Sequence, residues 1–154
     1  MSGGLLTDTM GNLINQAIDD GAQIISISQG TPENEATLRW ALARAMSEGV
    51  IVVASAGNTA TDNSYAQLIR WSGVVGVSAI NSDGTFASYS SWGNGVVTAA
   101  LGGPVNTIDP NTGAPTTASG TSNSTALVSG MLALARQKWP NATSNQLLQL
   151  LTKT

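Results

Sequence analysis

The sequence contains no histidine and no cysteine. Without cysteine there can be no disulfide framework, no thiolate metal site and no cysteine nucleophile. Without histidine the chain also lacks the commonest general base. Charge is sparse: six Lys and Arg stand against nine Asp and Glu, for a net charge of -3. With no run of like charge, neither nucleic acid nor an anionic membrane is a fitting partner, and a neutral or polypeptide one suits better. Long apolar runs are missing too. "GVIVVASAG" (49–57) falls far short of the roughly 18 to 20 residues that span a bilayer. The opening "MSGGLL" has no basic segment leading into an apolar one, so no signal peptide is visible.

What is present describes one globular domain. At 154 residues and 42% hydrophobic side chains, the chain can bury a sizeable core. Met10, Leu13, Ile14, Ala17 and Ile18 recur at helical spacing and stop at Gly21, a C-terminal cap. Leu38, Ala41, Leu42, Ala45 and Met46 repeat the pattern up to Gly49. "QIISIS" (23–28) reads as a strand, and "VIVVA" (50–54) and "VVGVSAI" (74–80) are apolar on both faces, as parallel strands covered by helices are. "VVTAAL" (96–101) reads as a further strand, and the Gly-, Pro-, Asn- and Thr-rich stretch 102–118 as an exposed loop or hairpin. Two helices close the chain. One runs from about Thr121 to Lys138, and the other begins at Thr143, where T-S-N-Q has capping-box spacing. Alternating strands and helices predict an α/β fold with an open, mostly parallel sheet flanked by helices.

In such sheets ligands bind beyond the carboxyl ends of the strands. That rule selects Ser28, Gln29 and Gly30 after the first strand, Ala56, Gly57 and Asn58 after the second, and the "SGTSNSTALVSG" segment (119–130) that feeds a helix N-terminus. A serine in a first helical turn sits among unpaired N–H groups at the positive end of the dipole, where an oxyanion is stabilised. Thr121 or Ser122 could equally be a plain helix cap. Asn58 could add a side-chain hydrogen bond to the same oxyanion, or simply occupy a tight turn.

"ISISQG" (25–30), "VIVVASAGN" (50–58), "GVVGVSAINSDGTFASYSSWG" (73–93) and "SGTSNSTALVSGMLALARQKWPNATSNQLLQLL" (119–151), in that order, resemble the subtilisin-like serine proteases, the subtilases. The resemblance covers the chain from about residue 10 onward, and its last stretch is similar to actinobacterial cell-envelope members such as the mycosins. It implies a serine endopeptidase of subtilisin-like fold acting on polypeptides, secreted or held in the cell envelope. Ser122 matches the nucleophile, and Asn58 the side-chain donor of the oxyanion hole, with the Ser122 N–H as its partner. Ser28, Gln29 and Gly30 match the strip that pairs with an extended substrate, and Ala54, Ser55, Ala56 and Gly57 one wall of the pocket for the side chain preceding the cleaved bond. Three departures stand out: Ala126 and Leu127 replace the usual Pro and His after the nucleophile, and Gln29 replaces an apolar residue.

A serine hydroxyl needs a base to take its proton, and this chain offers none of the expected kind. Subtilases carry their triad in the order Asp, His, Ser, so the resemblance puts the first two members upstream of residue 1. Residues 1–154 then form the C-terminal part of a peptidase domain whose partner is the missing upstream part, with the strand at 23–28 left bare where the Asp-bearing strand pairs. Lys138 is no substitute: it lies 16 residues beyond Ser122 on one helix, about 24 Å away. The sedolisin relatives use Glu and Asp instead of His, but carry Asp at the position of Asn58. No cofactor or metal is assigned. Calcium occurs in many subtilases, and Asp62, Asp83 and Asp109 are the oxygen ligands this chain could offer.

Overall fold

The computed structural model describes residues 7–29, 36–64 and 68–153, with side chains from residue 10 onward. Helices α1 (Thr7–Asp19) and α2 (Ala36–Ser47) alternate with strands β1 (Ile24–Ile27), β2 (Ile51–Ser55), β3 (Val74–Ile80) and β4 (Val96–Leu101). A hairpin of β5 (Val105–Ile108) and β6 (Pro115–Ala118) follows, then helices α3 (Thr121–Lys138) and α4 (Ser144–Thr152). The four main strands are parallel and lie in sequence order, β1-β2-β3-β4.

The two-sided apolar runs sort cleanly onto the faces of this sheet. Along β2, Val52 and Ala54 join Ile14, Ile18, Leu38, Leu42, Leu68 and Ile69 in one core layer. Ile51 and Val53 point the other way, into a second layer with Val75, Val77, Val128, Leu132 and Leu147. A period of two on a strand covered above and below produces this partition. Both glycine stops act as expected. Gly21 and Gly49 have φ of 86° and 73°, and the N–H groups of Gly21 and Ala22 bond back to Ile18 and Ala17, as those of Gly49 and Val50 do to Met46 and Ala45. At α4 the capping box is complete: Thr143 accepts from the Gln146 N–H, and Gln146 accepts from the Thr143 N–H.

Two residues expected on core-facing stripes are on the outside instead. Leu13 is 57% exposed: among the described residues the neighbouring β1 pairs with β2 alone, so that part of α1 has no described sheet to cover. Met46 is 53% exposed and lies sideways against Gly73, in the turn before β3, rather than on the core. The strand expected at 23–28 is shorter at both ends, and β4, expected as a further strand, is only half-buried. Among the described residues no helix is long and apolar enough to cross a membrane.

Candidate active site

Because the four strands are parallel, their carboxyl ends share one edge of the sheet. Ser28 and Gln29 leave β1 there, Ala56 to Asn58 leave β2, and Gly102 leaves β4. Helix α3 starts at this edge and runs back across the sheet. Its entry is fixed by Gly120 N–H donating to Gly102 O at 2.8 Å and by Asn123 Nδ2 donating to Gly102 O at 3.0 Å. Further along, Ser124 Oγ reaches Ala100 O at 2.9 Å on β4, and Ser129 Oγ reaches Ser26 Oγ at 2.9 Å on β1.

The two residues singled out for oxyanion chemistry, Asn58 and Ser122, come together at this edge. The residue that joins them is Thr121, expected as a cap. The N-cap is in fact Gly120, which has no side chain to offer. The cap function is supplied from across the sheet: Thr121 N–H donates to Asn58 Oδ1 at 2.8 Å, and Thr121 Oγ1 donates to the same oxygen at 2.8 Å. An N–H can only donate, so the Asn58 atom facing Thr121 must be the carbonyl oxygen. This fixes the amide orientation and leaves Nδ2 free to donate elsewhere. Thr121 Oγ1 also accepts from Gly57 N–H at 3.3 Å, tying the helix to the turn on both sides of the amide bond.

The direction in which Nδ2 points can be read from Gly120. A methyl built on Gly120 would sit 3.3 Å from Asn58 Nδ2 and 3.8 Å from the Ser122 backbone nitrogen. The space left by the missing side chain is thus bordered by the Asn58 amide, its nitrogen nearest, and by the Ser122 backbone nitrogen. The Ser122 N–H is among those a helix leaves without an intrahelical acceptor. Ser122 Oγ makes no hydrogen bond among the described residues and is half-buried.

The expected substrate strip is only partly described. The pairing of Ile27 with Ala54 brings Ser28 alongside Ser55, so the strip and the wall are adjacent. Ser28 and Gln29 are exposed and line an open groove of about 250 Å³ with Met10, Leu13 and Ile14 of α1, while Gly30 lies outside the described residues. Ala54 and Ala56 have their side chains inside the core, and Ser55 is buried. Gly57, at φ 104°, stands over Asn63 so closely that a methyl there would meet Asn63 Nδ2 at 2.7 Å. From this wall, backbone rather than side chains is what can reach a ligand.

The three aspartates weighed as cation ligands each serve a local turn. Asp62 accepts from the N–H and Oγ of Ser64, Asp83 from the N–H and Oγ1 of Thr85, and Asp109 from the Asn111 N–H. The Ser64 and Thr85 hydroxyls and the Asn111 N–H hold the respective carboxyls below the ordinary carboxylate range. Among the described residues no group of three or more acidic side chains gathers to hold a metal.

A sequence profile of the Subtilase family, peptidase S8, matches residues 1–154. The chain is 36% identical over 155 residues to a thermostable alkaline protease of Halalkalibacterium halodurans, with 99% of the chain aligned to 41% of that protein. It is 31% identical to subtilisin DY of Bacillus licheniformis, with 92% of the chain aligned to 52% of that protein. The crystal structure of a cold-adapted subtilisin-like serine proteinase superposes with a TM-score of 0.84 at 27% identity, over 96% of this chain and 54% of the other. The chain therefore spans about half the length of the relatives it matches. With Ser122 and Asn58 gathered at the carboxyl edge of a parallel sheet, and a family match across its whole length, the chain belongs to the subtilase family.

Proposed function

We propose that this chain carries the nucleophile and the oxyanion hole of a serine endopeptidase, and that residues outside it supply the histidine and aspartate of the triad. Ser122 Oγ attacks the carbonyl carbon of a peptide bond while the histidine takes its proton. The carbonyl oxygen becomes an oxyanion, held by Asn58 Nδ2 and the Ser122 N–H. Collapse expels the amine, protonated by the same histidine, and leaves an acyl-enzyme on Ser122 that water then hydrolyses. The observation that carries this reading is the amide of Asn58: Thr121 engages its oxygen twice, so its nitrogen faces the space beneath Gly120.

The same reading gives Ser28, Gln29 and Gly30 the pairing of an extended polypeptide substrate, and the backbone of Ala54 to Gly57 one side of its pocket. It makes residues 1–154 the C-terminal part of a peptidase domain in a secreted or cell-envelope protein. No step of this mechanism uses a metal. By itself the chain is expected to be nearly inert, since removing the base from subtilisin lowers turnover about a million-fold.

One alternative is a subtilase relative that serves as a non-catalytic scaffold or peptide-binding module. A fluorophosphonate probe separates the two. Labelling of Ser122 when the chain is joined to an Asp- and His-bearing upstream segment, and its loss in Ser122→Ala, is the expected result. No labelling of the joined protein would sink the protease reading.

A further inference from the structure

Asn58 stands on a turn that is held from behind by a closed circuit of hydrogen bonds, and the circuit passes through one hydroxyl. Ser91 is 0% exposed, and its N–H donates to Gly57 O at 2.9 Å. Its Oγ accepts from Thr59 N–H at 3.2 Å and from Thr61 N–H at 3.4 Å. A serine oxygen has two lone pairs and one proton. With both lone pairs engaged, the proton goes to Thr59 Oγ1 at 3.1 Å. The Thr59 proton then goes to Thr61 Oγ1 at 2.8 Å, and the Thr61 proton to Asn63 Oδ1 at 3.2 Å. Asn63 Nδ2 closes the circuit on Ala56 O at 2.7 Å.

The backbone on both sides of Asn58 is thus tied to Ser91, although Asn58 itself makes no bond to it. Ser91 is in turn anchored to the sheet: Ser78 Oγ, on β3, and Ser90 Oγ donate to Ser91 O at 2.8 and 3.1 Å. Their common effect is to hold a donor in the narrow range of positions that an oxyanion demands.

We infer that Ser91 is a positioning residue for the oxyanion hole, acting on turnover through Asn58. The inference rests on the proposed role of Asn58 and adds to it the element that fixes the donor in place. Removing the Ser91 hydroxyl leaves two N–H groups of the turn without their acceptor, and the turn relaxes.

The test is a double-mutant cycle in the full-length protease, reading kcat and KM on a peptide p-nitroanilide. Ser91→Ala is expected to lower kcat about tenfold with little change in KM, and to change kcat by less than about twofold when Asn58 is already Ala. Thr59→Ala breaks the same circuit at an exposed residue and tests it without a buried defect. It is expected to give about a threefold loss of kcat, again only in the presence of Asn58, with an unchanged melting temperature. An equal loss with and without Asn58, or a change confined to KM, overturns the positioning role and leaves the role of Asn58 standing. An Asn58→Ala variant with wild-type kcat overturns both.

Discussion

Gly120 is where the smallest side chain has the largest expected effect. Its φ of 167° is extended backbone that any residue adopts, so the need for glycine comes from space rather than conformation. Gly120→Ala would put a methyl group into the gap that Asn58 Nδ2 and the Ser122 N–H face. On the proposed mechanism, kcat should fall about 10- to 100-fold while the melting temperature stays the same. A variant with normal turnover would show that the oxyanion forms elsewhere. The aspartates make a separate prediction at this scale. The carboxyls of Asp62, Asp83 and Asp109 titrate below their ordinary range in the fold, so their stabilisation is present above about pH 4 and is lost as pH falls through the lowered folded values. Urea midpoints of a triple Asp→Asn variant should lie below wild type at neutral pH, and the gap should close as pH falls through the lowered folded values.

At the scale of elements, much was legible in the sequence because the signals were local. Gly21, Gly49 and the Thr143 capping box end or start helices through bonds within five residues. The apolar runs at 50–54 and 74–80 became central strands. The entry to α3 was not legible. Its cap comes from Asn58, 63 residues away, and no local preference of Thr121 or Ser122 could report that. Leu13 and Met46 fit the helical stripe by period, but which part of a stripe is covered depends on where the sheet ends. The packing of α1 on α2 depends on a close approach at Gly11, where a methyl would meet the backbone of Thr37 and Leu38 at 2.7 and 2.8 Å. Gly11→Ala should destabilise the fold by about 1 to 3 kcal/mol, checked by urea unfolding. An unchanged midpoint would mean that the two helices separate without cost. The same pair is bridged by Arg44, which bonds Asp19 of α1 at 2.6 Å, while its bond to Glu48 at 2.7 Å stays beside its own helix. Those contacts are solvent-screened and contribute little.

Over the whole molecule, two separate surfaces are bare among the described residues. The outer edge of β1 has no partner strand, and Leu127, Met131 and Leu134 form an exposed apolar stripe on α3 at i, i+4 and i+7 spacing, with Leu134 68% exposed. Bare edges and apolar stripes promote association. The chain alone should therefore show a mass that rises with concentration in sedimentation, and Met131→Lys with Leu134→Glu should reduce the rise. A monomer at every concentration would contradict this.

Helix α3 also sets an order of events. It bonds β1 through Ser129, the turn after β2 through Thr121 and β4 through Ser124, and it packs on β3 through Val128 and Leu132. Its full seating needs all four strands in place, so it comes late in folding. We expect the Asn58–Thr121 contact to form after the rate-limiting step, so that Thr121→Val gives a φ-value near ~0 in refolding kinetics; a value near ~1 would refute this. On the proposed mechanism, a chain still folding then has a serine but nothing to stabilise the charge that serine would create, so the finished site's reactivity would stay switched off during assembly.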